Sequence, residues 1–176
     1  MNKQVKSERF AMIDLHVHLD GSLSVESVRE LAGIQGIVVP ESDEELLKLL
    51  QVEKGCRNLN EYLNKFDFPV SLLQTKDSIS RAVYNLEQEL KKLGLLYAEI
   101  RFAPQKHTDC GLTQSEVVAA AIEGMGKSDF KSNLILCCMR GDDNHAENIE
   151  TVNVAKEYLS NGVCAIDIAG AEALYS

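Results

Sequence analysis

Residues 13–21 read Ile-Asp-Leu-His-Val-His-Leu-Asp-Gly, a strict alternation of apolar and polar side chains closed by a glycine. Side chains on a strand point to alternate faces, so Ile13, Leu15, Val17 and Leu19 fall on one side and Asp14, His16, His18 and Asp20 on the other. Such alternation ordinarily marks a strand with one wet face. Here a stretch of helical periodicity follows the glycine, as where a strand feeds a helix in an α/β unit. Strands of such units are usually apolar on both faces. A face of two imidazoles and two carboxylates therefore calls for a chemical reason.

Metal binding supplies one. Two histidines separated by one residue point the same way, about 7 Å apart along the strand. Both rings can converge on one ion, and neutral imidazole suits Zn²⁺. The plainer alternative is an edge strand with two solvated histidines. The adjoining Asp20-Gly21 favours the metal reading.

At 176 residues, 45% hydrophobic and 26% charged, the chain can bury the core of one ordinary domain. A net charge of −9 leaves nothing to offset phosphate repulsion, which argues against nucleic acid as a partner. No apolar run approaches the roughly 18 residues of a membrane span. Residues 1–11 lack the apolar centre of a signal peptide. The five cysteines are odd in number and show no Cys-x-x-Cys spacing. Cys137, Cys138 and Cys164 lie in apolar runs and are expected to be buried. This usage suits a reducing compartment, the cytoplasm.

Residues 1–9 read as a loose polar lead-in to a strand at about 11–17. Helical spacing over 25–35 is closed by Gly36. A capping box from Ser42 to Glu45 opens a short helix. Within 59–73, Tyr62, Leu63 and Phe66 share a helical face, by default for core packing and alternatively as a ligand-facing wall. Asp77 or Ser78 caps a long helix with the stripe Ala82, Val83, Leu86, Leu90 and Leu93, ended by Gly94. A second strand over 95–102 sets Leu96, Ala98, Ile100 and Phe102 against Tyr97, Glu99 and Arg101. A capping box at Thr113 opens the next helix, and an apolar run over 133–139 gives a third strand. Asp143 or Asn144 starts a helix with the stripe Ile149, Val152, Ala155 and Leu159. A fourth strand spans 163–168.

This order is a run of right-handed βα units with a helical insert after strand one. A (β/α)₈ barrel needs about 250 residues. Four strands are half its number and leave two edges. The expected fold is therefore α/β, a partial (β/α)₈ TIM-type barrel of about four parallel strands, with residues 1–176 a single domain truncated after strand four. The alternative is an open four-stranded sheet complete in itself. Polar positions on strands one and two suit a barrel mouth, and no glycine-rich phosphate loop marks the switch point of an open sheet.

Five segments resemble the adenosine deaminases, in that family's order. They are Leu-His-Val-His-Leu-Asp-Gly at 15–21, Leu-Asn-Glu-Tyr-Leu-Asn-Lys-Phe-Asp-Phe at 59–68, Glu-Ile-Arg-Phe-Ala-Pro at 99–104, Ile-Leu-Cys-Cys-Met-Arg at 135–140 and Ala-Ile-Asp-Ile-Ala-Gly at 165–170. The resemblance covers nearly the whole chain. It implies a metal-dependent barrel, with Zn²⁺ as cofactor, that converts adenosine to inosine and ammonia. By that resemblance His16 and His18 are two zinc ligands, and Asp20 hydrogen-bonds the ribose end with His18 close by. Gly170 presents its backbone N–H to the purine, and Tyr62, Leu63, Phe66 and Met139 form apolar pocket wall.

Chains of that family continue with a further His ligand, a proton-shuttling Glu, a His that steadies the hydroxide, and an Asp ligand beside a second Asp. These have no match here. Two imidazoles leave the ion with half its usual protein ligands. No residue fills the general acid/base role, worth about 10²–10⁴-fold. The chain alone is thus expected to hold zinc weakly or not at all, to deaminate poorly, and to contain no catalytic residue of its own. His107 and His145 are expected to be solvated loop histidines rather than further ligands. Two alternatives stand beside this reading. One is a non-catalytic half-barrel that buries its open edges by self-association or against a complementary chain. The other is a deaminase for another 6-aminopurine, such as adenine.

Overall fold

The computed structural model describes residues 11–172, 174 and 175. The lead-in expected at 1–9 lies outside them. Strands β1 (Met12–His18), β2 (Leu95–Phe102), β3 (Ser132–Met139) and β4 (Val163–Ala169) form one parallel sheet in sequence order. The expected half-barrel arrangement of four parallel strands is what the chain adopts. Parallel neighbours need a crossover. Between β1 and β2 it comprises α1 (Val25–Gln35), α2 (Asp43–Leu50), α3 (Leu59–Leu63), a 3₁₀ turn (Asn64–Phe66), α4 (Asp67–Ser71) and α5 (Lys76–Lys92). A 3₁₀ turn (Pro104–His107) and α6 (Gln114–Gly126) join β2 to β3, and α7 (His145–Glu157) joins β3 to β4.

The core lies between the sheet and these helices. Ala98, Ile100 and Phe102 of β2 and Leu134 and Leu136 of β3 are buried with Ile79, Ala82, Val83 and Leu86 of α5 and Val117, Val118 and Ala121 of α6. The long helix α5 is capped by Thr75, with Ser78 returning the bond, and not by Asp77 or Ser78. Ser78 occupies the third helical position, where it serves the capping box from inside. Leu93, expected on the buried stripe, lies past the end of the helix and is 68% exposed.

Helix α7 buries a different face from the expected one. Thr151, Val154 and Ala155 are inside, while Ile149, Val152 and Leu159 are exposed. The Thr151 hydroxyl donates to Gln114 Oε1 at 2.6 Å and the Glu147 carbonyl lies 2.9 Å away, so a satisfied polar group takes the inner position. Asn144 caps the helix without a side-chain bond to it, since its amide donates back to the Met139 and Arg140 carbonyls. Cys164 is exposed rather than buried. The register shift between Leu134 and Ile135 sets Cys164 on the concave side near Glu99, whereas Ile166 and Ile168, opposite Leu136 and Cys138 of β3, are 48% and 54% exposed.

Gly124 is fixed by packing. A Cβ there would collide with the Ser80 carbonyl oxygen and stand 3.0 Å from Val83 Cβ, so α5 and α6 approach over bare backbone. Gly33 in α1 has nothing within 4 Å of the same position. In urea denaturation, Gly124→Ala is expected to cost about 1–3 kcal/mol through overpacking. Gly33→Ala is expected to gain about 0.5 kcal/mol through helix propensity.

Candidate functional site

The C-terminal ends of the four strands carry the polar groups, and the end of β1 carries most of them. Its alternation is not strict. Asp14 pairs with Ala98 and Val17 with Ile100, so Leu15 and His16 together oppose Glu99. This two-for-one bulge changes which way the following residues aim. Asp14 pairs with a residue of the helix-facing side, whereas His18 pairs with Arg101 of the concave side. Asp14 therefore leaves the imidazole face to which alternation assigns it, and instead accepts from the His16 backbone N–H at 2.9 Å.

The bulge keeps the two imidazoles together, their ring centroids 5.2 Å apart and their planes at 55°. His18 is half-buried. Burial, then the neighbouring Arg101 and His16, lower its pKa to about 4 against an opposing pull from Asp167, so the ring is neutral at pH 7. Asp20 lies two residues on. Burial pushes its carboxyl up to about 6, despite the Arg101 charge and the backbone N–H groups of Asp20 and Gly21. Its Oδ1 has no partner. Gly21 allows this turn to close on the helical insert, since a Cβ would stand 3.2 Å from Phe66 and 3.3 Å from His18 Cβ.

Asp20, Gly21, Tyr62 and Phe66 line one cavity of about 360 Å³ with Leu50, Gln51, Val52 and Lys65. Tyr62 and Phe66 meet edge to face at 5.4 Å, and Phe66 lies 6.1 Å from His18. Leu63 is half-buried but does not line this cavity. Met139 lines a separate hollow at the end of β3 with Arg140, Asp142, Asn148 and Ile168. Gly170 follows β4 with φ of 132°, and a Cβ would meet Arg140 Cβ at 3.1 Å, so local backbone geometry demands glycine there. His145 is exposed as expected. His107 is not a solvated loop residue. It is 1% exposed, with Nδ1 3.0 Å from the Leu73 carbonyl and its ring edge-on to Phe102, and burial lowers its pKa to about 4.

Arg101 is the site residue that motif reading passed over. Its polar position on β2 was visible in the alternation, but its reach was not. The buried guanidinium forks onto Asp167 of β4, Nε to Oδ2 at 2.9 Å and Nη2 to Oδ1 at 3.0 Å. Its Nη1 faces His18 of β1, and Nη2 also donates to Cys137 Sγ of β3. Burial, the largest single influence, would raise the Asp167 carboxyl, but the bonds from Arg101 and Cys137 and the Arg101 and His16 charges together hold that pKa below its ordinary value.

His16 and His18 offer two imidazole donors. Among the described residues no group of three or more His, Cys, Asp or Glu side chains is gathered to hold a metal ion. Structural zinc takes four protein ligands and catalytic zinc three, so this set does not by itself fit the ion.

A half-circle of parallel strands with polar groups at their C-terminal ends is the architecture of a (β/α)₈-barrel enzyme. The Arabidopsis N6-mAMP deaminase superimposes with a TM-score of 0.72 at 25% identity, over 91% of this chain and 50% of that one. The chain matches the family described as "Adenosine deaminase" over residues 12–176, and it belongs to that family. It is 49% identical to the adenosine deaminase of Haemophilus ducreyi over 96% of its own length and 52% of the relative's. Against that of Clostridium acetobutylicum the identity is 42%, over 98% and 52%. The chain thus spans about half the length of the curated relatives it matches.

A carboxyl raised by folding adds stability only while protonated. The contribution of Asp20 is complete below about pH 4 and is lost as pH rises through about 6. Asp20→Asn is therefore expected to stabilise the chain by about 1–2 kcal/mol at pH 7.5. The gain should vanish near pH 4, as read by thermal melts across that range.

Proposed function

We propose that this chain is the N-terminal half of an adenosine deaminase barrel. The parent activity is hydrolytic deamination of adenosine or deoxyadenosine to inosine or deoxyinosine and ammonia. The observation that carries the reading is the grouping of His16, His18, Asp20 and the Tyr62–Phe66 wall at the C-terminal end of β1, in a chain of that family. His16 and His18 are two of the zinc ligands of the whole barrel, where the bound ion would supply an activated water. The Asp20 carboxylate accepts from the ribose end, with an oxygen left free for it. Tyr62 and Phe66 wall the cavity side, Leu63 stands next to them without lining it, and Met139 and the Gly170 backbone meet the purine from the β3–β4 side. Adenine or another 6-aminopurine is the alternative substrate. Five free thiols support a reducing compartment, the cytoplasm, and no described helix is long and apolar enough to cross a membrane.

A second reading rests on a separate observation. β1 and β4 each pair on one side only among the described residues, and Ile166 and Ile168 stand exposed on the outer face of β4. Free parallel edges and uncovered apolar surface favour association with a second copy or with a complementary half-barrel.

Two measurements test these readings. Ammonia release from adenosine by the purified 176-residue chain is expected to fall at least about 10²-fold below that of a full-length relative. A rate equal to the relative's would sink the half-barrel account of the activity. Sedimentation is expected to show association that rises with concentration and weakens in Ile166→Lys. A clean monomer throughout would remove the second reading.

A further inference from the structure

One buried imidazole lies away from the His16–His18 pair. His107 ends the 3₁₀ turn that follows β2 and is 1% exposed. Its Nδ1 lies 3.0 Å from the Leu73 carbonyl. A carbonyl can only accept, so Nδ1 carries the hydrogen and Nε2 holds the lone pair. Nε2 is buried and meets no partner among the described residues. A second proton would create a buried charged donor with nothing to receive it. Gln74 ties the same two segments together. Its amide donates to the Lys106 carbonyl at 2.9 Å, and its Oε1 accepts from the Asp109 backbone N–H at 3.1 Å. Three bonds thus join the chain after α4 to the turn after β2.

What these bonds hold is the helical insert. Tyr62 and Phe66 wall the cavity at Asp20, and the backbone runs from Phe66 through α4 directly to Leu72 and Leu73. α3, the 3₁₀ turn after it and α4 have five, three and five residues, too few to hold a helical shape alone. Leu72 and Leu73 are fully buried, but apolar burial is non-directional and sets depth rather than aim. Hydrogen bonds have a preferred direction. We propose that His107 is a positioning residue: as a neutral imidazole it anchors the end of the insert to β2, so fixing where the Tyr62–Phe66 wall stands over the site, and acid frees that wall by charging the ring. Burial lowers the His107 pKa to about 4, with the Leu73 bond opposing and the Lys106 charge adding to the fall. Leu73 and Phe102, which touch the ring, do not titrate. Of the flanking charges, Lys76 of α5 and Glu116 of α6 pair with each other, and Asp109 and Glu147 of α7 are exposed. The anchor is therefore complete above about pH 6.5 and is lost as pH falls toward 4.

The purpose given to the wall rests on reading the cavity as the purine site, whereas the test reads the wall itself. Amide hydrogen exchange of the whole chain is compared at pH 7 and pH 5 with two variants. H107N keeps an amide that can donate to Leu73 and does not titrate, and H107L cannot donate. At pH 7, H107N is expected to match the unaltered chain over residues 59–73, and H107L to lose about 10-fold in protection there. At pH 5, the unaltered chain is expected to fall about 10-fold below H107N over the same residues, with α5 and α6 unchanged. Equal protection of the unaltered chain and H107N at pH 5 overturns the acid release and passes any loss to His18 or Asp20. Unchanged protection in H107L overturns the anchor, as does a loss spread evenly over α5 and α6. None of these outcomes bears on adenosine as the substrate. Should the variants fail to fold, imidazole ¹⁵N NMR of the unaltered chain decides. Nδ1 is expected to be protonated and Nε2 bare at pH 7, and the Tyr62 and Phe66 amides to shift as the His107 ring titrates. The reverse tautomer, or amides that follow His18 instead, overturns the proposal.

Discussion

One guanidinium touches every strand of this sheet. Arg101 rises from β2 on the concave side and meets His18 of β1, Cys137 of β3 and Asp167 of β4. A side chain on a flat sheet would reach its immediate neighbours. An arginine laid across β3 spans the two strand spacings, about 9–10 Å, to an aspartate on β4. Burying a charge is costly unless it is paired and hydrogen-bonded. The Asp167 fork meets that condition, and it does so only when β2 and β4 are correctly placed around β3. The pair therefore rewards one strand order and one register, beyond what apolar packing on the outer face specifies.

The same interaction shapes the site's electrostatics. Arg101 is among the causes that keep His18 unprotonated, holds Asp167 ionised and draws Asp20 downward against its burial. Three titratable groups, one on β1, one in the turn after it and one on β4, thus answer to a single fixed charge. Asp20 remains raised because its burial outweighs the Arg101 charge and the backbone N–H groups of Asp20 and Gly21. Its buried Oδ1 has no partner, and Asp20 lines one cavity with Tyr62 and Phe66.

Much of this was legible in the residues. Capping boxes, terminal glycines and apolar periodicity placed the four strands and most helices, because those signals are local. The His16–His18 pairing was legible because a two-residue period survives from His16 to His18. What failed was non-local. The bulge at Leu15–His16 answers to the register of β2 and moves Asp14 off the shared face. His107 follows a strand like a loop residue, yet tertiary packing closes over it between Leu73 and Phe102. Cys164, Ile149 and Val152 lie in apolar patterns yet stand exposed among the described residues, since a local pattern does not say which face a neighbouring element covers. Arg101 stood in a visible polar register, but a reach across two strands leaves no trace in a short window of sequence.

The two unpaired sheet margins have a further consequence. They are not equivalent, since one belongs to β1 and the other to β4. A contact that joins β4 of one molecule to β1 of the next is head-to-tail and does not satisfy itself. Such a contact either closes into a ring or runs on as a fibre. The described sheet has four strands, and about eight close a cylinder, so two such sheets would together supply the strands of one. A head-to-tail pairing of this kind would set the angle between successive sheets by the register of two strands rather than by a symmetric face.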